Sequence, residues 1–189
     1  EPATRPALAS PGVTPRPRMA ATPDGIEQIN SELSLANKRR LCNELEAFFL
    51  KGNLPLGRSD DANDIPSAEL LEDRVGQALA LLAEVRALWT GWLDGVATLF
   101  PRLQDHSLRA SWKTQIRAPL QSIFAGAAFL PILEQCNAIH QRVLKGRVWA
   151  ALHMYAGDVN VHTTLTDNSP NCEILTIATR AVHRILGTA

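Results

Sequence analysis

Apolar residues recur at helical spacing along most of the chain and give way to strand-like alternation near its C-terminal end. After Pro23, Ile26, Ile29, Leu33 and Ala36 follow at steps of three or four, and Leu41, Leu45 and Phe48 continue the series. That spacing predicts a helix with one apolar side. Asp24 and Glu27 have the separation of a capping box and start it, and Lys51-Gly52 ends it. The stretch 52–66 is rich in Gly, Pro, Asn and Asp and reads as a loop. Asp60, Asp61, Asn63 and Asp64 cluster there. A calcium loop started at Asp61 would place Ile65 and Pro66 where a ligand and a glycine are needed, so a solvated turn is expected.

Ser67 caps the next predicted helix, with Glu69 in its first turn. Here Leu71, Val75, Ala78, Leu82, Val85, Trp89, Trp92, Val96 and Leu99 alternate steps of four and three. This is a heptad seam, the period that keeps one helix face on a partner. Two tryptophans make it wide, which suits antiparallel packing inside a core better than a two-stranded zipper. Pro101 is expected to close the helix. From Leu103 to Leu144 the helical pattern continues in pieces, with joints at Pro119, Gly126 and Pro131. Arg109, Lys113 and Arg117 form a basic stripe beside Trp112. A solvated helix face is the simpler reading of it, and contact with an anion the sharper one. His106, His140 and His183 read as surface residues.

At Gly146 the pattern changes. Residues 147–154 are a short apolar run of strand length, and Val159 to Leu165 alternates apolar and polar with β-branched residues. Gly157-Asp158 suits a tight turn. A β-hairpin is therefore expected at about 147–166. With its turn centred on 156 and 157, His153 lies opposite Asn160. Alternation then puts His153, Tyr155, Asn160 and His162 on one face. From the residues alone, a site and a plain solvent-facing side are equally open. A closing amphipathic helix, capped near Asn168 or Ser169, carries Ile174, Ile177, Ala181 and Ile185 and ends at Gly187. The expected fold is a predominantly helical α+β chain: long antiparallel helices, a hairpin and a C-terminal helix in one domain over 24–189. Residues 1–23 hold six of the twelve prolines and read as an extended arm. The chain starts at Glu1, so processing or excision from a longer protein is expected.

Composition narrows the function classes. The 189 residues carry 19 Lys+Arg against 19 Asp+Glu. A zero balance argues against a dedicated nucleic-acid binder, whose affinity needs a basic surface. No apolar run reaches the roughly 20 residues of a membrane span. Cys42, Cys136 and Cys172 are far apart, with no CxxC pair. Buried thiols in a reducing compartment, cytoplasm or organelle matrix, are expected.

Residues 145–175, KGRVWAALHMYAGDVNVHTTLTDNSPNCEIL, resemble the substrate-domain motif of the FAD-linked oxidase family of the D-lactate and glycolate dehydrogenase type. That motif reads H-x-H-x-G-D-G-N-x-H. The helices before it are similar to the family's cap segment. The resemblance implies a hairpin near flavin and substrate. It implies His153 and Tyr155 facing substrate, Asp158 and Asn160 near the cofactor, and His162 as a metal ligand. Two positions depart from the motif: Tyr155 replaces its second His and Val159 its second Gly. Neutral tyrosine is a poor substitute for imidazole. A later ligand segment and a flavin-binding domain lie outside this sequence. FAD is therefore expected in the family but not on this chain alone, and tight binding of a divalent metal is not expected.

The leading expectation is a fragment or remnant of an FAD-linked oxidoreductase acting on 2-hydroxy acids, inactive alone. Its partner would be the flavin domain. The alternative is a non-catalytic helical scaffold that joins a larger assembly through the 71–99 seam. A metal-sensing module on His153, Asp158 and His162 is a third reading.

Overall fold

The computed structural model describes residues 23–57, 66–155, 160–167 and 172–186. The architecture is mainly helical α+β. In order come α1 (Pro23–Leu50), α2 (Ala68–Asp94), α3 (Val96–Gln104), α4 (Ala118–Ile123), α5 (Leu130–Lys145), strands β1 (Val148–Tyr155) and β2 (Asn160–Asp167), and α6 (Cys172–Leu186). The arm expected over 1–23 lies outside the described residues except for Pro23. Pro23 is instead the first residue of α1, where a missing N–H costs nothing. Among the described residues no helix is long and apolar enough to cross a membrane.

α1 is the central element. It packs against α2, α3, α5 and β1. Contact on several sides explains why a single apolar stripe misses part of its core. Leu35 and Phe49 are buried as deeply as Leu41 and Leu45, while Phe48 is only half-buried. Gly52, at φ +71°, ends α1 in the left-handed conformation that glycine adopts without strain. Ser67 caps α2, its Oγ accepting from Leu70 N–H at 3.2 Å. The α1–α2 pair is antiparallel. Arg86 donates to Glu46 and to Asn43, while Gln104 in α3 donates to Glu27 near the start of α1.

The heptad seam differs from expectation in two ways. It is not one helix, because it breaks at Gly95 (φ −96°, ψ 14°) and resumes as α3. Gly91 and Gly95 supply the weak point, since glycine loses the most conformational freedom in a helix. Pro101 does not close the seam either. It sits inside α3, which runs on to Gln104. As its width suggested, the seam packs within the chain's own core. Ala78, Leu82, Val85, Trp89 and Val96 are buried in the chain's own core, so they offer no surface to a partner.

Before Pro119 the backbone takes one wide π-helical turn, Lys113–Arg117. Proline has no N–H to donate back to the preceding turn, and widening the helix accommodates its ring. Gly126, at φ +119°, then turns the chain into a 3-10 turn and α5, with Pro131 in α5's first turn. The core beside these elements holds Phe49 stacked on Phe124, ring centroids 5.5 Å apart. A second cluster, formed by Ile26, Ile29, Ala150, Ala181 and Ile185, joins α1 to β1 and α6.

Candidate functional site

The motif strands pair antiparallel, in a register two residues away from the expected one. His153 lies opposite His162, and Tyr155 opposite Asn160. The strands end at Tyr155 and begin again at Asn160, so four residues connect them where a two-residue turn was expected. The proposed Gly157-Asp158 turn, with Asp158 itself, lies outside the described residues. An even shift keeps every residue on its own face. Positions 153, 155, 160 and 162 therefore still share a face. The opposite face carries Val148 and Ala150, both buried. The shared face also carries Thr164, which is exposed. The side chains of His153, Tyr155, Asn160 and His162 are outside the described set. Among the described residues no three His, Cys, Asp or Glu side chains converge as a metal site.

Two asparagines that the periodicity reading passed over tie α1 to its neighbours, Asn30 to the ladder and Asn37 to α5. Asn30 Oδ1 accepts from Ala150 N–H at 2.9 Å, and its Nδ2 donates to Ala150 C=O at 3.0 Å. A side-chain amide thus stands in for a neighbouring strand on the open edge of β1. Seven residues on, Asn37 Nδ2 donates to Val143 C=O at 3.3 Å, at the end of α5. Two asparagines one heptad apart beside Ile26, Leu33 and Leu41 were the signal in the sequence.

Beside Asn37 lies a concentration of positive charge. Lys38 of α1 lines two adjoining hollows. One is a cleft of about 550 Å³ between α1, α3 and the loop after it, which also holds Arg109 and His106. The other is a small recess holding Trp112, His140 and Arg147. His140 is not the surface residue expected. It is half-buried and stacked on Trp112, with ring centroids 4.4 Å apart and planes within 9°. Burial, then the charges of Arg147, Arg117 and Lys38, hold its pKa below the usual histidine value. Burial, then Arg147 and Arg109, bring the Lys38 ammonium down to about 8. The basic stripe is likewise not a single helix face. Arg109 precedes the helix, and Lys113 and Arg117 sit on the π turn. His106 is exposed, as expected, at φ 63°, a conformation histidine tolerates better than most residues. His183 is exposed on α6. Cys42 and Cys136 are free and buried, with burial raising both thiols to about 12, so neither is a nucleophile.

The chain matches no family model, no curated protein and no solved structure. Its chemistry is therefore argued from these two regions, the motif ladder and the cationic cleft.

Proposed function

We propose that the chain is the substrate-and-cap segment of an FAD-linked oxidoreductase acting on 2-hydroxy acids, and that it is catalytically silent by itself. One observation carries the reading. The two ends of the motif, 153–155 and 160–162, lie on paired strands whose register gives its four polar positions a common face. On this reading His153 and Tyr155 face the substrate and Asp158 and Asn160 the flavin. His162 is the one imidazole left of the family's metal pair. A divalent metal needs three or more suitable donors. With Tyr155 in place of the second imidazole the motif offers too few, so no step is assigned to a metal here. Hydride transfer is flavin chemistry, and its partner on this reading is a flavin-binding domain. A reducing compartment, cytoplasm or organelle matrix, fits the free, buried Cys42 and Cys136. The scaffold alternative loses its main support, because the seam that was to meet a partner is filled by the chain's own core.

Native mass spectrometry of the untagged protein, purified from its source, tests the proposal. The expected result is FAD carried by a longer polypeptide or a stoichiometric complex that contains this sequence. A flavin-free 20.6 kDa chain held in a fixed assembly would overturn it.

A further inference from the structure

The described carboxylates of α1 are engaged away from Lys38. Glu32 pairs with Arg184, Glu44 with Arg40 and Arg142, and Glu46 with Arg86. Glu27 lines the same cleft as Lys38 but accepts from Gln104 at 2.8 Å. It also lies eleven residues earlier on α1, about 16 Å along the axis. The charged groups that act on Lys38 are Arg147, beyond the end of α5, and Arg109, after α3. Both are cations, and none of the described carboxylates pairs with the ammonium. His140 faces the same recess from α5, with Arg117 of the π turn acting on it as well. A chain with no net charge thus gathers cations around one half-buried ammonium, at a cost in repulsion and desolvation. An anion in the cleft removes that cost.

We propose that the cleft between α1, α3 and the segment after α3 binds a small oxyanion, a carboxylate or a phosphate, on Lys38 and Arg109, with Arg147 adding its charge from the adjoining recess. Guanidinium groups pair with such oxygens in a fixed fork, and the ammonium adds a point charge. The stacked Trp112 and His140 rings form the flat wall of the recess beside it. Lowered basicity at Lys38 agrees with this arrangement, and binding should raise it, with uptake of a proton near pH 8. The proposal does not depend on the flavoenzyme reading, because it concerns the cleft and not the ladder.

Thermal unfolding of the full chain at fixed ionic strength tests it, with inorganic phosphate and D-lactate as separate probes against chloride. A saturable rise in Tm is expected with at least one probe, near neutral pH. Lys38→Met should weaken the half-saturation point by about tenfold or more, the loss expected for one charge-assisted contact. Arg109→Gln, at an exposed position, should weaken it as well and keeps the test open if Lys38→Met folds poorly. Lys113→Met, outside the cleft, should leave it unchanged. Saturation by phosphate alone or by D-lactate alone supports the proposal and identifies the source. No saturation with either probe overturns it, as does saturation undiminished in both cleft variants.

Discussion

The helical bundle and the strand ladder hang on the same helix, but different forces hold them there. On the bundle side α1 buries Leu45, Phe49 and Cys42 against Trp89, Phe124 and Leu120. Ring stacking and shape fit dominate, and Trp89 keeps its N–H satisfied on Gln115 at 3.2 Å. On the ladder side the described contacts are smaller and more polar. Ile26 and Ile29 meet Ala150, Ala181 and Ile185, Asn30 grips the Ala150 backbone, and Arg184 of α6 pairs with Glu32. Hydrophobic burial is proportional to area and indifferent to direction, whereas a two-point amide contact fixes direction and register. The bundle thus supplies stability, and the clamp sets where the motif strands lie.

Five substitutions sharpen this contrast. Trp89→Ala opens a large cavity and removes one of the two donors to Gln115 Oε1, so it should cost about 3–5 kcal/mol of global stability in denaturant titrations. Asn30→Ala should cost less, about 1–3 kcal/mol, because it strands the donor and acceptor of the buried Ala150. Asn30→Asp keeps the acceptor and loses the donor, so it should fall between wild type and Asn30→Ala. Lys38→Met should act with the opposite sign and raise Tm at neutral pH, since it removes a charge held among cations. The pH dependence follows from the same group. Its native pKa, about 8, lies below its ordinary value of 10.5. Between those values the unfolded chain holds the proton that the native chain has lost. Stability therefore gains from Lys38 as pH rises from about 8 towards 10.5, and that gain should vanish in Lys38→Met. Arg184→Ala removes the exposed partner of the more covered Glu32 and should cost about 1 kcal/mol.

Much of the fold is legible in residue spacing. The caps at Ser67 and Gly52, the joints at Gly126 and Pro131, and the buried seam from Ala78 to Trp89 all follow from local rules about dihedral angles and periodicity. Where local rules fail, a competing long-range term is visible. Gly95 breaks the seam although the heptad continues through it, because periodicity counts apolar positions and not backbone cost. The ladder register moved by two because alternation fixes the face of a strand but leaves the connection length open. Asn30 acts through a partner 120 positions away, and Lys38 and His140 through residues on other elements. No window along the chain could join Asn30 to Ala150, or His140 to Trp112. Alternation placed His153, Tyr155, Asn160 and His162 on one face, only the resemblance gave them roles, and their common face is a property of strand parity that survives the shift.

Native-state hydrogen exchange on the full chain measures the contrast most directly. The ladder amides around Ala150 should exchange through a smaller opening, at lower free energy, than the core amides of α2 around Leu82 to Trp89. Asn30→Ala should lower protection in β1 while leaving most of the α2 protection in place. Equal opening free energies in both regions, reduced together by Asn30→Ala, would contradict the account and make ladder and bundle one cooperative unit.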